Sequence, residues 1–85
     1  MYTINWMKKA RKRLATVGTQ KAREAIVDAV STLVDLPNAQ NVKALTKHQC
    51  GYRLRVGKYR VLFDADHEIR IVEVQEVKKR DDQTY

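Results

Sequence analysis

The stretch from Tyr52 to Phe63 leaves this chain little choice of local structure. Tyr52-Arg53-Leu54-Arg55-Val56 alternates, Gly57-Lys58 follows, and Tyr59-Arg60-Val61-Leu62-Phe63 alternates again. Period-two alternation marks a strand. A two-residue loop with glycine first is the signature of a type II′ hairpin. Such a loop pairs Val56 with Tyr59 and Arg55 with Arg60. Directly opposed residues share a face, so Arg53, Arg55 and Arg60 fall together on one side. Leu54, Val56, Tyr59, Val61 and Phe63 fall on the other, which must be the core side. Like charges placed opposite each other are destabilising, so Arg55 against Arg60 points to an anion resting between them. Guanidinium groups suit that task, being planar, always charged and bidentate toward phosphate. Arginine on the wet face of an antiparallel sheet is also an ordinary solubility feature, and the pattern alone does not separate the two.

The rest of the chain supplies layers to pack on this hairpin. Residues 2–6 read as a first strand, with Tyr2, Ile4 and Trp6 on one side. Met7, Ala10, Leu14 and Val17 then fall at helical spacing, and Gly18 suits the position just past a helix end. Thr19 is the expected N-cap of a second helix. That helix carries an apolar stripe of Ala22, Ala25, Ile26, Ala29, Val30, Leu33 and Val34, and Pro37 stops it. Residues 37–51 read as loop, with Val42 and Leu45 pinned to the core. Ala65-Asp66-His67 is the next turn, and residues 68–77 form the longest strand. The tail after it is polar. The expected fold is a single α+β domain over residues 1–85: a short N-terminal strand, an antiparallel helical hairpin, and three antiparallel strands, in the order β-α-α-β-β-β.

Charge narrows the partners. The 85 residues carry 17 Lys and Arg against 10 Asp and Glu, a net charge of +7. No acid precedes Glu24, while Lys8, Lys9, Arg11, Lys12, Arg13, Lys21 and Arg23 all do. A second acid-free stretch between Asp35 and Asp64 holds Lys43, Lys47, Arg53, Arg55, Lys58 and Arg60. Clustered bases of this kind are the electrostatic footprint of a polyanion binder. No apolar run approaches the ~20 residues needed to span a bilayer, and the N-terminus lacks the order of a signal peptide. A single cysteine, Cys50, forms no internal disulfide, and no Cys/His cluster has metal-ligand spacing. The expectation is a cytoplasmic protein with no cofactor and no structural metal.

Other chemistry-bearing residues are sparse. His48 and His67 are far apart in sequence, so an acid–base pair is a weak reading; His67 sits in the expected turn and reads as solvated. His48, just before the arginine strand, is placed to touch RNA. Cys50 reads as structural. Asp64, Asp66 and Glu68 are explained by a turn without metal. The tail adds Lys78, Lys79, Arg80 and a terminal Tyr85, which could fold back toward the arginines. Near cations the phenol could serve in proton transfer; as a chain end it could equally be frayed.

The hairpin Tyr52-Arg53-Leu54-Arg55-Val56-Gly57-Lys58-Tyr59-Arg60-Val61-Leu62-Phe63 resembles the central hairpin of the RelE/ParE toxin superfamily. The ending Lys78-Lys79-Arg80-Asp81-Asp82-Gln83-Thr84-Tyr85 resembles the basic, tyrosine-closed tail of RelE-type members. The helical hairpin closing on Leu36-Pro37 fits as well. The resemblance implies a toxin of a type II toxin–antitoxin system that enters the ribosomal A site and cuts the exposed messenger RNA. In that reading the ribose 2′-OH attacks the adjacent phosphate. Arg53 and Arg55 would hold the backbone, Arg60 the reacting phosphate, Lys79 or Arg80 the leaving oxygen, and Tyr85 the 2′-OH. Lys8, Lys9, Arg11, Lys12, Arg13, Lys47, His48, Lys58 and Lys78 would contact RNA or ribosome. It also implies a cognate antitoxin and an oligomeric complex with it. The alternatives are a ParE-type gyrase inhibitor on the same fold and a non-catalytic RNA- or ribosome-binding module.

Overall fold

A computed structural model describes residues 1–79. Its elements are β1 (Thr3–Trp6), α1 (Lys8–Ala15), α2 (Gln20–Ser31), a 3-10 helix (Thr32–Asn38), β2 (Val42–Ala44), β3 (Tyr52–Val56), β4 (Tyr59–Asp66) and β5 (Ile71–Lys79). The strands form one sheet in the order β1-β5-β4-β3-β2. All neighbours are antiparallel except β1 and β5, which run parallel, as the helical crossover between them allows. The fold class is therefore α+β, as expected, with one strand more than the sequence suggested.

One face of the sheet is the core. Leu54, Val61, Phe63, Val72, Val74 and Val77 are buried there against Ile26, Val30 and Leu33 of the helical layer, with Ala10 of α1 beside them. The hairpin turn is as expected. Val56 pairs with Tyr59 and Arg55 with Arg60. Gly57 has φ +55 and Lys58 does not share that sign, the pattern of a II′ turn. Thr19 caps α2, its hydroxyl oxygen accepting from the Ala22 N–H at 3.1 Å.

Four local expectations are corrected. Residues 37–51 are not all loop: β2 pairs with β3 through Val42↔Leu54, Lys43↔Arg53 and Ala44↔Tyr52. Three residues are too few for alternation to be legible, and β3 supplies the template. The α-helix does not run to Pro37. It ends at Ser31, where the Ser31 and Thr32 hydroxyls donate back to the carbonyls of Asp28 and Ala29, and the chain tightens into the 3-10 segment, kinked at Asp35. Gly18 is not in the left-handed region; α1 closes instead at Thr16, whose hydroxyl donates to the Arg13 carbonyl at 2.7 Å. The last turn lies over residues 67–70 and β5 starts at Ile71. Asp66 sets this turn by accepting from the Glu68 and Ile69 N–H groups at 2.9 and 3.1 Å, and Arg70 completes it with φ +56.

The β4–β5 ladder holds one irregularity that matters for the site. Leu62 pairs with Glu76 but Phe63 pairs with Val74, so Gln75 is an extra residue, a β-bulge. Val74 and Val77 can both face the core only because of it. Among the described residues no helix is long and apolar enough to cross a membrane.

Candidate nucleic-acid interface

The face opposite the helices carries the bases. Arg55 lies opposite Arg60, and Arg60 lies opposite Lys78. Three cations thus form one row across three strands, each step about 4.5–5.5 Å between Cα atoms. The next row is Lys43, Arg53, Leu62 and Glu76. Arg60 is half-buried, and its Nε is buried with no hydrogen-bond partner among the described residues. A buried donor left unmade is expensive, and here it sits among like charges. An anion with several acceptor oxygens laid on this row would offset the repulsion among its cations.

Helix α1 extends this face. It starts where β1 ends, beside the second half of β5, with the Met7 N–H still donating to the Val74 carbonyl at 2.9 Å. Lys9 Nζ comes to 3.1 Å from Glu76 Oε2, and Arg13 Nε to 3.5 Å from Oε1. Glu76 is 8% exposed. A buried carboxylate needs such cations, and in return it holds them at the rim of the basic face. Lys8, Arg11 and Lys12 lie on the exposed outside of the same helix. Lys58 is exposed at the hairpin tip and Lys47 in the loop before β3.

That loop is fastened down. Asp64 Oδ1 accepts from the Gly51 N–H at 2.7 Å, and His48 Nδ1 accepts from the Cys50 N–H at 3.0 Å. Cys50 is buried, and burial pushes its thiol pKa up, with the charges of Asp64 and Glu76 adding to the effect. His48 lines a cleft of about 300 Å³ on the open face with Lys9, Leu62, Glu76 and Lys78. His67 belongs elsewhere, and it is not simply solvated. It bridges two tyrosine hydroxyls, Tyr2 at Nδ1 and Tyr52 at Nε2, each at 2.7 Å, and Tyr52 stacks on Phe63. The two histidines do not share a site.

The tail divides. Lys78 shares the arginine face, whereas Lys79 lies opposite Tyr59 and so on the helix side. Arg80 and Tyr85 lie outside the described residues. Sequence reasoning passed over Glu76 and the place of Lys43 beside Arg53. It also missed the exchange between Lys78 and Lys79, for which a signal existed: Val72 and Val74 keep period two, and Val77 breaks it.

A family described as ParE toxin of type II toxin-antitoxin system, parDE, matches residues 4–84. Among solved structures, the chain is similar to one in the toxin-antitoxin complex RelBE2 from Mycobacterium tuberculosis, with TM-score 0.80 and 27% identity over 93% of this chain and 98% of that one. It is similar in fold to a chain of the archaeal RelE-RelB complex from Pyrococcus horikoshii OT3, with TM-score 0.77 and 20% identity over 95% and 97%. It is likewise similar in fold to the isolated E. coli RelE toxin, with TM-score 0.77 and 19% identity over 95% and 86%. No curated protein matches the sequence.

Proposed function

The chain belongs to the ParE toxin family of type II toxin–antitoxin systems, within the RelE/ParE superfamily, and we propose that it acts as a RelE-type messenger-RNA endonuclease in the ribosomal A site. The observation that carries this reading is the row Arg55, Arg60 and Lys78, three cations side by side across three strands on the face away from the core. Phosphoryl chemistry by an internal nucleophile needs positioning and charge stabilisation above all. The ribose 2′-oxygen bonds to phosphorus and gives up its proton; the bond to the 5′-oxygen breaks, and that oxygen takes a proton. A 2′,3′-cyclic phosphate and a 5′-hydroxyl result. Arg60 meets the reacting phosphate, and Arg53 and Arg55 hold the strand around it. Lys78 adds charge from the same face. Arg80 and Tyr85 would complete the site from the tail, Tyr85 at the 2′-OH. Lys79 has the weaker claim, since its strand position faces the helices. Lys8, Arg11, Lys12, Lys47 and Lys58 are outlying contacts for RNA or ribosome.

Two of the similar structures are toxin–antitoxin complexes, which supports a cognate antitoxin for this chain, one with acidic residues to cover the arginine face. The family description also favours a second reading, a gyrase inhibitor that cuts nothing. Primer extension on a defined messenger, with purified toxin and with or without ribosomes carrying an empty A site, separates the two. Cuts within the A-site codon only when ribosomes are present are the expected result. No cuts, together with inhibition of gyrase supercoiling, would overturn the RelE reading. Protection of the codon without cutting would favour a non-catalytic binder.

A further inference from the structure

We infer that the cleft between Glu76, His48 and Leu62 is a nucleobase subsite that favours bases carrying an amino group; the inference rests on the proposed RNA-binding role of this face. Leu62 and Glu76 form the register row two residues from Arg60 and Lys78, which is about 7 Å along the strands. A nucleotide whose phosphate lies on the Arg60 row brings its base over the Leu62 row, because the sugar spans a comparable distance. Leu62 is buried at 7% exposure and gives an apolar floor. His48 supplies an aromatic ring at the rim, and bases stack readily on such rings.

Glu76 decides which base fits. Its carboxylate is acceptor-only and largely buried, with Lys9 at Oε2 and Arg13 at Oε1. Its cover is slight: the Lys9 and Arg13 side chains are 65% and 57% exposed. Arriving phosphates attract both cations, and the carboxylate then turns to the N–H groups of the base. An amino group satisfies it, as a carboxylate accepts from the cytosine N4 amino group. Uracil offers a carbonyl at the same position, and oxygen would face oxygen.

Cytidine and uridine monophosphates are a matched pair for the test, because they differ only along that edge. Binding to the purified full chain is followed by NMR through the Leu62 methyl and His48 ring signals. The expected outcome is shifts at both residues and CMP binding about tenfold tighter than UMP. Glu76→Gln supplies a donor as well as an acceptor, so it should bring the ratio close to one while both nucleotides still bind. Arg60→Ala should weaken both and leave the ratio alone. Should Glu76→Gln fail to fold, Glu76→Asp, which keeps the charge but withdraws it, must lower the ratio. Equal binding by the wild-type protein, or an absence of shifts at Leu62 and His48, would overturn the subsite. Selective binding by a protein that cuts no messenger would sink the nuclease reading and leave the subsite standing.

Discussion

Arg55 and Arg60 face each other directly across the β3–β4 hairpin, on the side of the sheet away from the helices. Like charges directly opposite each other are destabilising, so the pair should cost the free protein stability that a bound anion would restore. Arg55 is exposed, so Arg55→Thr removes the repulsion and leaves a good strand former. We expect it to stabilise the fold by roughly 0.2–1 kcal/mol in urea denaturation while weakening RNA binding. A loss of stability would mean that the two guanidinium groups are not in conflict.

Arg60 should be the more sensitive of the two. Arg60→Ala removes the buried donor at the centre of the row, and cleavage and toxicity should disappear while the circular dichroism spectrum and melting cooperativity stay as in the wild type. A stable Arg60→Ala protein that remains toxic would refute the site.

The β5 register separates two adjacent lysines. Lys78→Ala should lower affinity for single-stranded RNA and flatten its salt dependence by close to one phosphate contact, a slope change of about 0.7. Lys79→Ala, on the helix side, should change that slope much less. Equal slopes for the two variants would show that strand position does not govern which lysine meets RNA.

His67 ties the start of the chain to the beginning of β3 through Tyr2 and Tyr52. Replacing it with alanine removes two hydrogen bonds at an exposed site, and we expect a loss of about 1–2 kcal/mol in urea unfolding with RNA affinity unchanged. Unaltered stability would mean that water replaces the imidazole without penalty.

Cys50 offers a pH test of the loop that carries His48. Its thiol pKa is raised, first by burial and then by Asp64 and Glu76, so alkylation by iodoacetamide should be half-maximal at a higher pH in the native protein than in urea. The sign for stability follows. The native thiol keeps its proton to higher pH than the unfolded one, so its contribution is present below the unfolded pKa, about 8.5, and is lost as pH rises through the native value. Rapid alkylation at neutral pH would show the loop to be open.

The hairpin, its turn and its two faces were legible because residues 53–61 alternate on either side of Gly57-Lys58, and only Leu62 departs from the pattern. The α2 stripe was legible for the same reason at a different period. What escaped was set by contacts distant in sequence. β2 exists because β3 is there to pair with it, and no local pattern in Val42-Lys43-Ala44 announces a strand. Glu76 drew no reading from the sequence, because Lys9 and Arg13 converge on it from another element. His67 was a turn residue on paper, and only the fold brings Tyr2 and Tyr52 to its two nitrogens.

Gln75 contributes no side chain to the row of cations, yet it works on β5 as a frameshift works on a message. Take it out and everything downstream is read in the other phase: Glu76 and Lys78 would turn toward the helices, and Val77 would surface beside Arg60. The character of the whole basic face thus depends on counting one residue between two valines. Deleting Gln75 should cost this protein more than most point substitutions on the face itself.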